Sequence, residues 1–523
     1  MAPGPPGIGL GQRGRGAGSG SMSALGLLMV LVAIVDLLCM PAILWVGDPS
    51  AWREETKAML RGELAVDGRF AEAFGENGQY FVRNQAASVP RWYSKYGITN
   101  SLMALPPVLI DEWKLGRPRR PGEAPDVLVF NAYQIALSLL TSVVLFILTG
   151  RYSSKPLTRI LWVLAVLFTT YLWYFQRAQS SELYQVLFYS AFFYCFVRYL
   201  EGIRPREPLS ARQGHGQLMA AWLFVSLLSG TRIVFGLLVP LVILVAGVTI
   251  WRLGPAARVR VALREAPFLL LPALAVIGLL GLINQIKFGS PLLTGYHVWN
   301  PDKHWPSWGY WDGLYGYLFD PQASILWYFP VLLFAALAIG RFARRHPLDA
   351  MLMGAVFSVF FLLLGKTPTW RGDWTYGPRY MIFDLPVLAL PFITWIDRAW
   401  ERPWGLACWA GGALTAATLF YSAYLTERQN RLDFFVSYRV SEAIEPYWDR
   451  DIARYFVGHH SGWICADLIA HQDRPEDLVF LQDLARRQVA PIDLEGLRRL
   501  VRRLTTRENY YWRRSSRRLD VKR

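Results

Sequence analysis

Long apolar segments separated by short polar loops dominate the chain between residues 24 and 425. Most of them approach the ~20 apolar residues that a helix needs to cross a hydrocarbon core about 30 Å thick. Transmembrane strands are only about 10 residues long and alternate in polarity, so they do not explain these segments. The pattern predicts eleven spanning helices, over residues 24–46, 127–149, 160–175, 183–200, 218–228, 233–250, 267–283, 325–339, 350–364, 381–396 and 405–425.

The composition supports an all-α polytopic membrane protein. Of the 523 residues, 53% are hydrophobic and only 18% are charged, whereas a soluble protein carries about 25% charged residues. More than half of the net charge of +16 lies in residues 498–523. We interpret this tail as a solvated basic helix or a contact with anionic lipids, and we predict no nucleic-acid partner. The four cysteines show no metal-binding spacing.

The chain divides into three predicted regions. Residues 1–21 are rich in glycine and proline and are predicted to be disordered. Residues 22–425 form the transmembrane module, in which residues 47–126 make a large first outer loop with interfacial helices. Residues 426–523 are predicted to form a small, mostly helical region outside the membrane, ending in the basic tail.

Loops rich in arginine predict the orientation in the membrane. The loops around residues 151–159, 204–212, 252–264 and 341–345 are all basic, and the positive-inside rule places such loops in the cytoplasm. All four can lie there only if the apolar segment 98–110 does not cross, so we predict that it is an interfacial or re-entrant helix. The N-terminus is then cytoplasmic, and the C-terminal region lies outside the plasma (inner) membrane.

The outer loops carry the candidate chemistry. They are rich in tryptophan, tyrosine and single charges, and the topology gathers six charged residues near one membrane face. The candidate catalytic carboxylates are Asp48, Glu54 and Glu182, because a carboxylate can accept the proton of an acceptor hydroxyl. The candidate ligands of a departing phosphate are Arg232, Lys287 and Arg379. Candidate substrate contacts, including rings that stack on sugars, are Tyr93, Lys95, Tyr96, Tyr296, Trp370, Asp373, Trp374 and Tyr376.

Four motifs, in this order, resemble bacterial membrane glycosyltransferases. They are GDP at 47–49, YSKYG at 93–97, NQIKFGSP at 284–291 with TGY at 294–296, and WRGDWTYGPRY at 370–380. The wider group is the GT-C superfamily, which includes the protein O-mannosyltransferases and the aminoarabinose transferases. The resemblance covers roughly residues 24–425.

The resemblance implies an inverting transfer from a polyprenyl-phosphate-linked sugar to a hydroxyl of a glycan, lipid or protein acceptor. It also implies that Asp48 is the base and that Glu182 occupies a second acidic position. Two departures from the family pattern matter. Pro49 stands where a second acidic residue is usual, and Glu182 stands alone where the second outer loop usually holds a pair. The second departure argues against a tightly bound divalent metal, and we predict no cofactor.

Other interpretations remain open at this point. Asp48 fits the N-cap of an interfacial helix that begins near Pro49, and Glu182 fits the start of a span. Asp36 lies in the middle of a predicted span, where a charge needs a partner. The whole chain also fits a transporter or flippase of a lipid-linked or small polar substrate, although it shows no internal repeat. A non-catalytic assembly factor with the same fold is the third alternative.

Overall fold

The computed structural model describes residues 18–41, 48–68, 71, 80–84, 91–121, 123, 125–203, 211–299, 310–320, 324–366, 377–401 and 406–431. These residues are mostly helical. The α-helices are α1 (Gly18–Leu38), α2 (Asp48–Leu60), α3 (Ile98–Leu115), α4 (Val127–Thr149), α5 (Pro156–Phe168), α6 (Leu172–Arg177), α7 (Ser181–Ile203), α8 (Ala211–Thr231), α9 (Leu238–Trp251), α10 (Pro255–Phe288), α11 (Gly295–Trp299), α12 (Tyr310–Phe319), α13 (Ile325–Tyr328), α14 (Val331–Arg345), α15 (Pro347–Leu364), α16 (Leu385–Leu388), α17 (Pro391–Glu401) and α18 (Leu406–Arg431). Short 3₁₀ helices cover Ile233–Leu237 and Arg379–Met381, and strands β1 (Phe81–Asn84) and β2 (Arg91–Ser94) form an antiparallel hairpin.

Six helices of the described residues are long and apolar enough to cross a membrane. They are Ser21–Leu38, Val127–Thr149, Ser181–Ile203, Ile233–Trp251, Ala257–Phe288 and Pro347–Leu364. Three other predicted spans are broken: 160–175 becomes α5 and α6, 325–339 becomes α13 and α14, and 381–396 becomes a 3₁₀ turn followed by α16 and α17. Prolines lie at or beside two of these breaks. Proline lacks the N–H that continues a helix, which accounts for a break at these positions. The count of eleven spans stays a prediction.

The first helix differs from the prediction at both ends. It begins at Gly18, inside the segment predicted to be disordered, and it ends at Leu38 rather than at residue 46. Pro41 lies three residues after this end, and a proline disfavours helix in the residue before it. Asp48 therefore belongs to a separate element, since it is the first residue of α2.

The segment predicted to be interfacial forms α3, which extends five residues beyond the predicted end and contains Pro106 and Pro107. Helix α3 packs against α2 and α8, and it is not among the six long apolar helices of the described residues. Its position relative to the membrane stays a prediction. The region predicted at 426–523 is described only as far as Arg431, and Trp370, Asp373, Trp374 and Tyr376 lie outside the described residues.

Helix α7 connects two polar ends of the helical bundle. Most of its side chains are buried, and it packs against α4 and α8. Its 23 residues span about 34 Å at 1.5 Å per residue. Near one end, Glu201 pairs with Arg151 at 2.8 Å, and Arg151 lies 3.5 Å from Asp349. Glu182 marks the other end, so the pairs formed by Arg151 and the surroundings of Glu182 lie at opposite ends of this helix.

Candidate active site

Arg379 joins the two predicted acidic positions. Its Nη2 donates to Oδ2 of Asp48 at 2.7 Å, and its Nε donates to Oε1 of Glu182. The same oxygen of Glu182 accepts a hydrogen bond of 2.6 Å from Arg232. Four predicted site residues from distant parts of the chain therefore meet in one network, which we call the Asp48–Arg379 network.

Helix ends position both carboxylates of this network. Asp48 lies in the first turn of α2 and Glu182 in the first turn of α7. Helix N-termini stabilise negative charge through the helix dipole, so these positions favour ionised carboxylates. Arg232 directly follows α8 and precedes a 3₁₀ helix, which places its guanidinium beside Glu182.

A tight turn positions Arg379. Gly377 has a φ of +74°, and a Cβ atom there would lie 2.8 Å from the ring of Tyr171. Only glycine adopts this conformation in this space without strain. The hydroxyl of Tyr171 donates to the carbonyl oxygen of Pro378 at 3.1 Å. The turn is thereby held against Tyr171, the residue before α6, and Arg379 follows it directly.

A cation surrounded by aromatic rings lies on the other side of Asp48. The hydroxyl of Tyr96 donates to Oδ1 of Asp48. The ammonium of Lys95 lies 5.2 Å from the ring centre of Tyr96, 5.6 Å from that of Tyr296 and 5.8 Å from that of Tyr80. These distances suit cation–π attraction. One oxygen of Asp48 thus accepts from the hydroxyl of Tyr96 and the other from Arg379.

Close backbone packing fixes the segment that carries Lys95 and Tyr96. A Cβ atom on Gly97 would lie 2.1 Å from the carbonyl oxygen of Gly230, and one on Gly295 would lie 2.3 Å from that of Lys95. Both distances exclude a side chain. The segment therefore lies directly against the end of α8 and the start of α11, which places Tyr96 next to Asp48.

The charges around Asp48 keep it ionised. Burial raises the pKa of Asp48, but Arg379, Lys95 and the hydroxyl of Tyr96 outweigh burial and hold this pKa below its ordinary value. For Arg379, burial lowers the pKa, and the carboxylates of Glu182 and Asp48 raise it well above the ordinary value. The site thus combines three cations with two carboxylates, an excess of positive charge that suits a phosphate. The side chain of Asp48 is 24% exposed, so a substrate can reach it.

Lys287, predicted to bind phosphate, lies in a buried ion pair. Its Nζ lies 2.6 Å from Oε1 of Glu55, and the two side chains are 1% and 0% exposed. Lys287 also donates to the carbonyl oxygen of Tyr96 at 2.9 Å, and Ser101 donates to the other oxygen of Glu55 at 2.6 Å. In this arrangement Lys287 holds the main chain of Tyr96 in place.

Two other predicted site residues lie outside the Asp48–Arg379 network. Glu54 pairs with Lys57 at 2.7 Å, and its side chain is 7% exposed. Tyr93 lies opposite Val82 in the hairpin and packs with it against Phe288 at the end of α10. No group of three or more histidines, cysteines, aspartates or glutamates suited to a metal ion occurs in the part of the chain that the structure describes.

Several residues that shape the site were not among the predicted site residues. Glu55 pairs with Lys287, and the ring of Tyr380 lies 4.9 Å below the guanidinium of Arg232. Trp52 packs edge-to-face on Tyr96 with ring centres 6.0 Å apart. Trp52 and Glu55 follow Asp48 in the same acidic and aromatic run, and this proximity in sequence was the signal that they lie near the site. Nothing in the sequence links positions 55 and 287.

Several solved structures are similar to this chain. No family model matches the chain, and no curated protein matches it. ArnT from Cupriavidus metallidurans in the apo state is 15% identical, with 86% of this chain and 79% of ArnT covered and a TM-score of 0.49. The same protein bound to undecaprenyl phosphate is 16% identical, with 88% and 82% covered and a TM-score of 0.47. The Archaeoglobus fulgidus oligosaccharyltransferase in the apo form is 10% identical, with 91% and 60% covered and a TM-score of 0.48.

ArnT is an aminoarabinose transferase, and both similar proteins are membrane glycosyltransferases of the GT-C fold. They are thus solved structures of the superfamily that the sequence motifs resemble. Their TM-scores lie below 0.5, so the residue roles proposed below rest on the contacts within this chain.

Proposed function

We propose that this chain is a membrane glycosyltransferase that moves a sugar from a polyprenyl-phosphate donor to an acceptor hydroxyl at the outer membrane face. The observation that carries the proposal is the direct contact between Asp48 and Arg379 beside Lys95. A displacement at a sugar carbon needs a base for the attacking hydroxyl and cations for the departing phosphate. Both requirements are met here by side chains in contact with each other.

In the proposed reaction, the acceptor oxygen forms a bond to the anomeric carbon while the bond from that carbon to the phosphate oxygen breaks. The hydroxyl proton passes to Asp48, which is ionised in this site. The electron pair leaves with the phosphate, so the lipid carrier becomes a phosphate monoester with one additional negative charge. A single displacement of this kind inverts the anomeric carbon.

Arg379 is proposed to serve the base and the phosphate in turn. Before the donor binds, its guanidinium neutralises Asp48 at 2.7 Å. When the guanidinium moves onto the donor phosphate, Asp48 loses its nearest counter-ion and becomes a stronger base. A stronger base is better suited to take a proton near neutral pH. Arg232 and Lys95 supply the remaining positive charge.

Glu182 is proposed to position the two arginines rather than to take the proton. Its side chain is fully buried, and one of its oxygens accepts hydrogen bonds from both Arg379 and Arg232. A carboxylate held in this way keeps the guanidinium groups in place for the phosphate. Tyr96 is proposed to orient Asp48 through its hydroxyl.

The remaining predicted residues receive different proposed roles. Tyr296 is 40% exposed and its ring lies beside Lys95, so it is proposed to stack on the sugar. Glu54 and Lys287 are proposed to stabilise the fold through their buried ion pairs, and Tyr93 through its packing in the hairpin. Substrate contacts by residues 370–376 stay predictions.

The proposal is tested with purified protein in lipid vesicles and a pool of lipid-linked sugars extracted from bacterial membranes. Transfer predicts release of free polyprenyl phosphate and appearance of the sugar on an acceptor in the same extract. A transporter or flippase would instead move the intact lipid-linked sugar between leaflets without releasing free polyprenyl phosphate. That outcome would overturn the proposal.

A further inference from the structure

A buried carboxyl group lies five residues after Arg379 and has no part in the proposed reaction. Asp384 is 0% exposed, and so are its neighbours in the chain, Phe383 and Leu385. The ring of Phe383 packs against that of Tyr189 on α7, with ring centres 5.0 Å apart. Asp384 therefore lies in an apolar interior beside α7, where an ionised carboxylate is strongly unfavourable.

Asp384 lacks the cation that accompanies other buried carboxylates of this chain. A lysine or arginine nitrogen lies within 3.5 Å of Glu54, Glu55, Asp111, Glu182, Glu265 and Asp349. Neither oxygen of Asp384 has a hydrogen-bond partner of normal geometry among the described residues. Within that part of the chain, the one titratable side chain that faces Asp384 is Tyr189, and no cation acts on it.

The position of Asp384 before α16 does not explain a carboxylate there. Aspartate is common at helix N-caps because its side chain accepts hydrogen bonds from N–H groups of the first turn. Asp384 is the N-cap residue of α16, but its side chain makes no such bond. Pro386, in the first turn, has no N–H to donate. Neither this helix nor a cation of the described residues would stabilise an ionised Asp384.

Tyr189 and Asp384 form a second contact between two elements of the site. Glu182 and Tyr189 are seven residues apart on α7, so they lie on one face of the helix, about 10 Å apart along its axis. Arg379 donates to Glu182, and five residues later Asp384 lies beside the hydroxyl of Tyr189. The segment 379–384 therefore contacts α7 at two points, one in the Asp48–Arg379 network and one deeper in the bundle.

We propose that Asp384 carries a proton and that this neutral carboxylic acid positions Arg379 through a hydrogen bond to Tyr189. The O–H of Asp384 donates to the hydroxyl oxygen of Tyr189. A neutral pair suits an apolar interior, where a hydrogen bond is electrostatically stronger than in water. The pair attaches the segment to α7, so that Arg379 keeps its contact with Glu182 while it binds the donor phosphate. This positioning role rests on the proposed function, whereas the protonation of Asp384 does not.

Infrared spectroscopy of the purified protein in lipid vesicles at neutral pH tests the protonation. A protonated carboxyl group has a carbonyl stretch that is separate from the absorption of carboxylates, and carbon-13 in the aspartate side chains identifies it. The spectrum of the wild type minus that of Asp384→Asn should show this stretch. Asp349→Asn is the matched control, because Asp349 is also buried but contacts Arg151 and Tyr152. Its difference spectrum should show the loss of a carboxylate instead.

The proposal is overturned if Asp384→Asn loses a carboxylate band and the protonated stretch stays unchanged. Tyr189→Phe tests the pairing without altering the carboxyl group, and it provides the test if Asp384→Asn does not fold. Removal of the accepting hydroxyl should move the stretch of Asp384 to higher frequency. A stretch at the same frequency in Tyr189→Phe and the wild type contradicts the proposed hydrogen bond.

Donor kinetics test the positioning role. Asp384→Asn keeps a neutral group that can donate to Tyr189, so it should transfer sugar like the wild type. Asp384→Leu cannot donate, and Arg379 is then held less firmly. The donor KM should rise by about tenfold, the effect of losing one hydrogen bond, while the acceptor KM stays the same. An unchanged donor KM in Asp384→Leu overturns the positioning role.

The spectroscopic and kinetic results separate this proposal from the proposed function. In a protein that transfers no sugar, a protonated stretch that shifts in Tyr189→Phe still establishes the neutral pair. The positioning role then fails together with the proposed function. In a protein that transfers sugar, absence of the protonated stretch rejects the neutral pair and leaves the proposed function in place.

Discussion

The guanidinium of Arg379 lies 2.7 Å from the carboxylate of Asp48, although 331 positions separate the two residues in the chain. The same guanidinium also contacts Glu182. One cation therefore connects the proposed base to the buried carboxylate that holds both arginines. In the proposed reaction the guanidinium of Arg379 leaves Asp48 and binds the donor phosphate. Donor binding is thereby coupled to the strength of Asp48 as a base.

Replacing Arg379 with lysine keeps the charge but removes the planar fork that binds a phosphate through two hydrogen bonds. We expect donor binding to weaken by about 1–3 kcal/mol, the range for hydrogen bonds to charged groups. Binding of a polyprenyl-phosphate sugar to the purified variant measures this loss. Arg344→Lys, in the last turn of α14, is the control. Unchanged donor affinity in Arg379→Gln removes Arg379 from the site.

The acid side of the pH–rate profile should move when Arg379 is removed. Burial raises the pKa of Asp48, while Arg379 and Lys95 together with Tyr96 hold it below its ordinary value. In the wild type, Asp48 therefore loses its charge only at a pH below about 3.9, the pKa of a free aspartate. Arg379→Gln raises this pKa, so the acid limb of kcat/KM moves to higher pH. An acid limb at the same pH in both proteins contradicts the coupling.

The Lys287–Glu55 pair should affect stability rather than donor binding. Lys287→Met leaves the charge of Glu55 buried without a partner, which costs about 3–5 kcal/mol of unfolding free energy. The double variant Lys287→Met, Glu55→Leu should regain most of this loss, because it buries no charge. Reversible unfolding in detergent measures both. A Lys287→Met variant that keeps its stability and loses donor affinity supports phosphate binding by Lys287 instead.

Much of the site could be predicted because charges are rare in an apolar chain. Asp48, Glu182, Arg232 and Arg379 stood out as single charges at predicted span ends, and their side chains do meet. The partner of Lys287 could not be predicted, since sequence spacing does not say which of several carboxylates packs against it.

The sequence predicts the fold class, but it predicts the breaks within the helices less well. Hydropathy identified helices that are present in the structure, such as α4 and α15. It extended the first helix through residue 46 because the side chains stay apolar, whereas the observed helix ends at Leu38, three residues before Pro41. Hydropathy averages over a window and does not register a single missing N–H.

Cysteine labelling tests which side of the membrane each end of the bundle faces. Leu292 follows α10 in the region of Lys287 and is 86% exposed, and Lys155 lies in a basic loop at the other end. With the four native cysteines replaced, Leu292→Cys should react with an impermeant thiol reagent in intact cells. Lys155→Cys should react only after permeabilisation. Equal labelling of both in intact cells contradicts the predicted orientation.

The most direct test of the account is the turnover of Asp48→Asn compared with Glu54→Gln. Both variants replace a carboxylate of α2 with its amide, and asparagine caps a helix about as well as aspartate. We expect Asp48→Asn to bind donor like the wild type while its kcat falls by about 10²–10⁴, the usual contribution of a general base. Glu54→Gln should retain the turnover of the wild type. A fully active Asp48→Asn enzyme contradicts the assignment of Asp48 as the base.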